Sequence, residues 1–177
     1  MTVGYRRFNV VEWYPKVLEN PSTLGDAIEY YDRAIADARK CFSPRGEVQE
    51  LLADQAGIEH FYESIRDDAA KIVAFYEKEI KQLRARKHKW YLTSEEANRQ
   101  YGDKLKPTEV KAFVDSDREV QTLDDDAFYI SMSLRSLNTL IEKLRQRGIY
   151  LSMIAKLRAS NQHEIFIDAS RPTDSDY

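Results

Sequence analysis

Between Lys78 and Lys89 the chain carries six lysines and arginines against a single acid, Glu79, and the run closes on two aromatics, Trp90 and Tyr91. Cations in this density neutralise phosphates, and large flat rings stack on unpaired bases, so the residue types suit a nucleic-acid backbone site. Residues three and four apart share a helix face. Lys78, Lys81 and Arg84 make one row, which His88 extends; Lys87 and Tyr91 lie on a neighbouring row; Arg86 and Lys89 widen the positive surface. Lys104, Lys106 and Lys111 add charge downstream. The same run is open to a plainer reading, a solvated helix end whose cations favour the negative pole of the helix dipole. A membrane-surface strip fits less well, because no clean apolar face opposes the charges.

Other chemistry lacks its residues. His60, His88 and His163 are not spaced as metal ligands, and none is near the single cysteine, Cys41, in sequence. There is no GxxxxGK[ST] and no GxGxxG to cradle a nucleotide. Asp124, Asp125 and Asp126 point three ways around a helix. The sequence offers no catalytic constellation and implies neither metal nor cofactor, so the expectation is a protein that is not an enzyme.

The elements that must hold the basic run are helices. From Glu47 to Tyr91 apolar residues recur in steps of three and four, at Leu51, Ile58, Ile65, Ala69, Ile72, Tyr76, Ile80 and Leu83 among others. Ser43 and Pro44 read as the N-cap and first residue of this helix, and Gly57 as a bend or short break in it. At about 1.5 Å per residue it spans roughly 60–65 Å, more than a small domain needs. Thr93 with Glu96 reads as a capping box for a short helix to about Gln100, Pro107 as a breaker before a helical turn over 108–114, and Ser116 with Glu119 as the capping box of a second long helix. Its stripe runs Val120, Leu123, Ala127, Ile130, Leu134, Leu137, Ile141, Leu144, Leu151, Ile154. Helices of this length leave apolar surface over, and Leu134, Leu137, Ile141, Leu144, Leu151 and Ile154 are the candidate oligomerisation residues. Gly148 within the stripe allows close packing or a kink.

Ahead of these, residues 1–23 read as an aromatic, irregular stretch with Pro15 and Pro21 as breakers. Val10 to Tyr14 are either a short strand or an arm laid over helices. A helix capped by Thr23 runs to about Cys41. The expected fold is all-α: two long amphipathic helices joined by a basic, partly irregular segment, with an extra N-terminal helix and arm. The expected divisions are 1–42 for the extension, 43–160 for a helical oligomerisation and DNA-binding domain, and 161–177 for a mostly disordered tail, in which Ile165, Phe166 and Ile167 can dock on a neighbour.

Composition agrees. Of 177 residues 32 % are charged, and six glycines and five prolines are few for a turn-rich β protein. The net charge of −3 conceals segregation, basic over 78–89 and acidic over 115–119 and 124–126. One cysteine excludes an internal disulfide framework. No apolar run approaches the ~20 residues of a membrane span, and the N-terminus lacks a signal-peptide core. A soluble, intracellular protein is expected.

The stretch from about Asp54 to Asn161 resembles the UvsY-type recombination mediators of T-even-like phages and their cyanophage relatives. Three places carry the resemblance: the basic-then-aromatic run Arg84 to Tyr91; the block Val110-Lys111-Ala112-Phe113-Val114-Asp115-Ser116-Asp117-Arg118-Glu119-Val120; and the closing helix from Ile141 to Ala159, with Arg147 before Gly148 and Arg158 near its end. The resemblance implies an all-α protein that forms ring-like homo-oligomers. It further implies that the protein binds single-stranded DNA and helps load a RecA-like recombinase onto strands covered by the single-stranded-DNA-binding protein, in the cytoplasm of an infected bacterium. Two features depart from the family pattern. Leu92-Thr93-Ser94-Glu95-Glu96 replaces the small residue, Gly and Lys that usually follow the paired aromatics, and residues 1–42 are additional. From the residues alone, a non-enzymatic helical scaffold or phage assembly protein stands as the alternative.

Overall fold

The computed structural model describes residues 10–38, 42, 47–101 and 105–169. Two long helices dominate them. Here α1 is Tyr14–Glu19, followed by a 3-10 turn at Pro21–Thr23; α2 is Leu24–Ala38, α3 Val48–Thr93, α4 Glu95–Tyr101, α5 Pro107–Ser116 and α6 Arg118–Ala169. No strand occurs among the described residues. α3 and α6 run antiparallel: Gln55 near the start of α3 meets Leu144, and Arg84 near its end meets Asp124. Buried positions on α3 are Ile58, Tyr62, Ile65, Ala69, Ile72 and Tyr76, alternating steps of four and three; on α6 they include Ile130, Leu137, Ile141, Leu144 and Leu151. This 3.5-residue repeat keeps one seam of each helix facing the other. α2 lays Ala27, Tyr31 and Ala38 onto the same core, making a third helix of the bundle.

Several local expectations are corrected. Pro15 and Pro21 open helical turns instead of breaking them, as proline can where the first N–H has no partner anyway. The Thr23 hydroxyl donates back to the Asn20 carbonyl at 2.8 Å, so it does not cap α2. α3 opens at Val48 with Glu47 as N-cap; Ser43 and Pro44, the expected start, lie outside the described residues, as do Tyr5, Phe8 and Cys41. Helix continues unbroken through Gly57. Ser94, not Thr93, caps α4, its Oγ accepting from the N–H groups of Glu96 and Ala97. Pro107 begins α5, where the Glu109 carboxylate accepts from the Lys106 N–H at 2.8 Å. Asp117, not Ser116, receives the first turn of α6, with Oδ1 3.0 Å from the Glu119 N–H. For α4 and α6 the cap is the next residue along, with equivalent capping chemistry. α6 also runs past Ser160, to Ala169. Residues 170–177, and the side chains of Ile165, Phe166 and Ile167, lie outside the described set.

The N-terminal arm is fastened at one buried carboxylate. Trp13 is the N-cap of α1 and offers no side-chain cap. Asp68 of α3 supplies it from across the interface: its Oδ2 accepts from the Trp13 N–H at 2.7 Å and its Oδ1 from the Tyr14 N–H at 3.1 Å. Pro15 has no N–H to satisfy. The Tyr31 hydroxyl of α2 donates to Oδ2 at 2.7 Å. Burial, then the hydrogen bond to Asp68, hold that phenol far above its ordinary range. One side chain therefore joins arm, second helix and third.

The far end of the hairpin is closed by Gln55. Its amide donates to Glu59 at 2.7 Å and to the Leu144 carbonyl at 2.6 Å, and its Oε1 accepts from Arg147. A Cβ on Gly148 would lie 3.2 Å from Gln55 Cγ and 3.3 Å from Glu59 Oε1. Glycine here serves close helix approach, and α6 continues through it.

Candidate nucleic-acid interface

α4 and α5 fold back on the last turns of α3 and build a second, smaller core from Leu83, Tyr91, Ala97, Val110, Val114 and Val120, with Phe113 and Leu105 against it. This core fixes the basic run in space. Tyr91, expected as a base-stacking platform, is placed inside: it is 7 % exposed, and its ring stacks on Phe113 at 5.7 Å and 24°. Trp90 stays at the surface, 36 % exposed and edge-on to Tyr91 at 4.9 Å. The aromatic that the sequence reading missed is Tyr101, 38 % exposed, at the end of α4. Trp90 and Tyr101 help line an open cleft of about 570 Å³, with Leu83 and Tyr91 and with charges from Arg86, Lys87, Asp117 and Glu119. Nothing in the spacing around Tyr101 marks it; the return of α4 sets its ring against Tyr91 and Phe113, in the cleft it shares with Trp90.

The cations divide into two groups. Lys78, Lys81, Arg86, His88 and Lys89 are exposed on α3 and have no ion-pair partner among the described residues, and Lys106 and Lys111 are exposed likewise near and on α5. Lys78 and Lys89, eleven residues apart, stand on the same face after three turns. Lys104 lies outside the described residues. Arg84 and Lys87 are instead paired with acids, Arg84 while still exposed and Lys87 partly buried. Arg84 Nη2 is 2.7 Å from Asp124 Oδ2 and 3.9 Å from Asp115 Oδ1. Lys87 Nζ is 3.0 Å from Asp117 Oδ2 and 2.9 Å from Glu119 Oε2. Hydrogen bonds to Glu119 and then to Asp117 hold the Lys87 ammonium above its usual range. Partial burial pushes the Asp117 carboxyl up, but the hydrogen bonds from Lys87 and from the Glu119 and Val120 N–H groups outweigh it and keep it below 3.8. In the sequence the acids of this corner stand out as segregated negative charge over 115–119 and 124–126. Their pairing was legible in the charge segregation, since an antiparallel hairpin sets the basic end of one long helix beside the acidic start of the other.

The candidate oligomerisation residues also divide. Leu137, Ile141 and Leu144 are 0 %, 2 % and 0 % exposed within a single chain, and Leu151 is buried too. Leu134 is partly buried against the core. Ile154 is exposed, on an apolar face that includes Ile149, Tyr150, Met153 and Leu157. No helix among the described residues is long and apolar enough to cross a membrane.

Comparison with curated proteins finds no match, and comparison with solved structures finds none either. A family model does match, over residues 56–162, and its description is recombination, repair and ssDNA binding protein UvsY. The matched span begins two residues before Ile58, the start of the regular α3 seam, and takes in the basic run, the small core and α6 to Gln162. It covers more than half of the sequence, and the chain belongs to the UvsY family of recombination, repair and single-stranded-DNA-binding proteins.

Proposed function

We propose that this protein is a recombination mediator without enzymatic activity, which binds single-stranded DNA and helps load a RecA-like recombinase onto strands covered by single-stranded-DNA-binding protein, in the cytoplasm of an infected bacterium. The observation that carries the DNA-contact part is the outward row of unpaired cations on α3 beside exposed Trp90. In this reading the backbone of the strand follows Lys78, Lys81, Arg86 and Lys89 and continues over Lys106 and Lys111, and a base rests on Trp90. Binding weakens with salt at a log–log slope of about −0.7 per phosphate contact. Replacing Lys78, Arg86 and Lys89 by glutamine together is expected to flatten that slope by about 2 units and to lower affinity for all sequences alike. Trp90→Ala is expected to cost about 1–3 kcal/mol of binding and to leave the slope nearly intact. Gel shifts with a single-stranded oligonucleotide at several salt concentrations measure both. An unchanged slope in the triple variant rejects this path.

We further propose that the protein is a homo-oligomer, ring-like as the family resemblance implies, built on the C-terminal half of α6. Ile149, Tyr150, Met153, Ile154 and Leu157 stand 42–65 % exposed in steps of one, three and four, which makes an unpartnered stripe beside the intrachain seam. Contiguous exposed apolar surface of this kind marks association sites. Ile149→Asp with Leu157→Asp is expected to lower the mass seen by light scattering at micromolar concentration while helical content and melting stay close to the parent. A parent that is monomeric under those conditions rejects the assembly.

A further inference from the structure

The strongest unexplained feature is that the basic run is partly occupied already. Arg84 and Lys87 are engaged by four carboxylates from one corner: Asp115 at the end of α5, Asp117 at the junction, and Glu119 and Asp124 on α6. Carboxylate oxygens at 2.7–3.0 Å from a guanidinium and an ammonium reproduce the contacts that phosphate oxygens would make. The corner is not a scaffold for the small core, since Glu119 and Asp124 side chains are 69 % and 39 % exposed and could leave without opening it. Asp117 and Glu119 of this corner, with Lys87, also line the cleft that holds Trp90 and Tyr101.

We propose that the acidic α5–α6 corner is an internal competitor for the DNA backbone: it occupies Arg84 and Lys87 in the unliganded protein, and a bound strand displaces Glu119 and Asp124 to reach them. This rests on the single-strand reading above and deepens it, by naming residues that set affinity from the side opposite to contact. Displacing two surface ion pairs subtracts from binding, and each pair is small enough to be exchanged. Moderate affinity with a stored set of replacement contacts suits a protein that must take up a strand and give it over.

The test is single-strand affinity of the full chain, measured on an unlabelled-sequence oligothymidylate at fixed salt and over a salt series. The competitor variant is Glu119→Gln with Asp124→Asn, which leaves the capping Asp117 in place. The control is Glu77→Gln with Asp125→Asn, the same change in net charge on exposed acids that pair with neither cation. The competitor variant is expected to bind about tenfold more tightly, the control less than about threefold, and the difference is expected to vanish when Arg84→Gln and Lys87→Gln are added, since contacting residues couple and distant ones do not. Equal gains in both pairs, or a gain that survives loss of Arg84 and Lys87, overturn the proposal and leave the DNA-binding reading standing. Binding by the competitor variant alone, with none by the parent, supports it. Absence of binding by the parent and every variant at low salt overturns both. Circular dichroism of each variant checks that helix content is that of the parent.

Discussion

Leu137→Asp is expected to abolish cooperative folding. Leu137 is fully buried between α3 and α6, among Ile141, Leu144 and the apolar face of α3. A carboxylate there has no donor to receive it, so it must either ionise without a partner or take up a proton; both oppose folding, and losses beyond about 4 kcal/mol belong to this class of change. The lost leucine packing adds to that. The expected result is a chain with little fixed helix by circular dichroism and no sharp thermal transition. Leu157→Asp, twenty residues along the same helix, makes the same chemical change at a position 62 % exposed, and is expected to fold. The contrast separates the two apolar stripes of α6. A Leu137→Asp protein that melts cooperatively near the parent temperature would show that this seam is not the fold's core.

The contrast also shows how far the sequence carries. The stripe from Val120 to Leu151 is visible from its period, and so is its partner on α3, because steps of three and four can only mark one side of a helix. What period cannot reveal is the partner. Leu137 and Leu157 are both apolar and in helical context, and only the antiparallel fit of α3, fixed at Gln55 against Leu144 and Gly148, decides that one is covered inside the chain. The basic run is similar. Its composition identifies the residues able to meet phosphate, but Arg84 and Lys87 differ from Lys78 and Lys89 in having acids brought against them once α5 and α6 come alongside. Tyr91 and Trp90 are adjacent in sequence and opposite in fate for the same reason. The least legible element is the N-terminal arm. Pro15 looks like a breaker until a carboxylate fifty-three residues away is seen to receive the first N–H groups of the helix it opens.

That carboxylate gives the second large effect. Asp68→Ala is expected to destabilise the protein by about 3 kcal/mol, because three donors lose their acceptor together and each buried donor left unpaired costs about 1–3 kcal/mol, less whatever water recovers at the edge of the arm. Asp68→Asn retains one accepting oxygen and is expected to lose less. The loss should be local first: among the described residues the arm's other hydrogen bond, to α2, is the long one from the Val11 N–H to the Tyr30 hydroxyl at 3.4 Å, so amide exchange at Trp13, Tyr14 and Val17 should quicken before that of the α3–α6 seam. In a Trp90→Phe background Trp13 is the remaining tryptophan, and its emission should shift to the red as the arm lifts. The pH dependence follows from Tyr31, which is neutral and donating when folded and has an ordinary phenol value of 10.0 when unfolded. A group raised by folding adds stability that is whole below the unfolded value and declines above it, so the parent should lose stability as pH climbs past 10.0. Tyr31→Phe removes the titrating group and should shrink that decline, at the expense of one hydrogen bond at neutral pH. Chemical denaturation of the parent, Asp68→Ala, Asp68→Asn and Tyr31→Phe at pH 7 and at pH 11 decides the matter. An alanine variant within about 0.5 kcal/mol of the parent, with Trp13 emission unmoved, would mean that the arm is held by its aromatic packing alone and that Asp68 is a passenger in the interface.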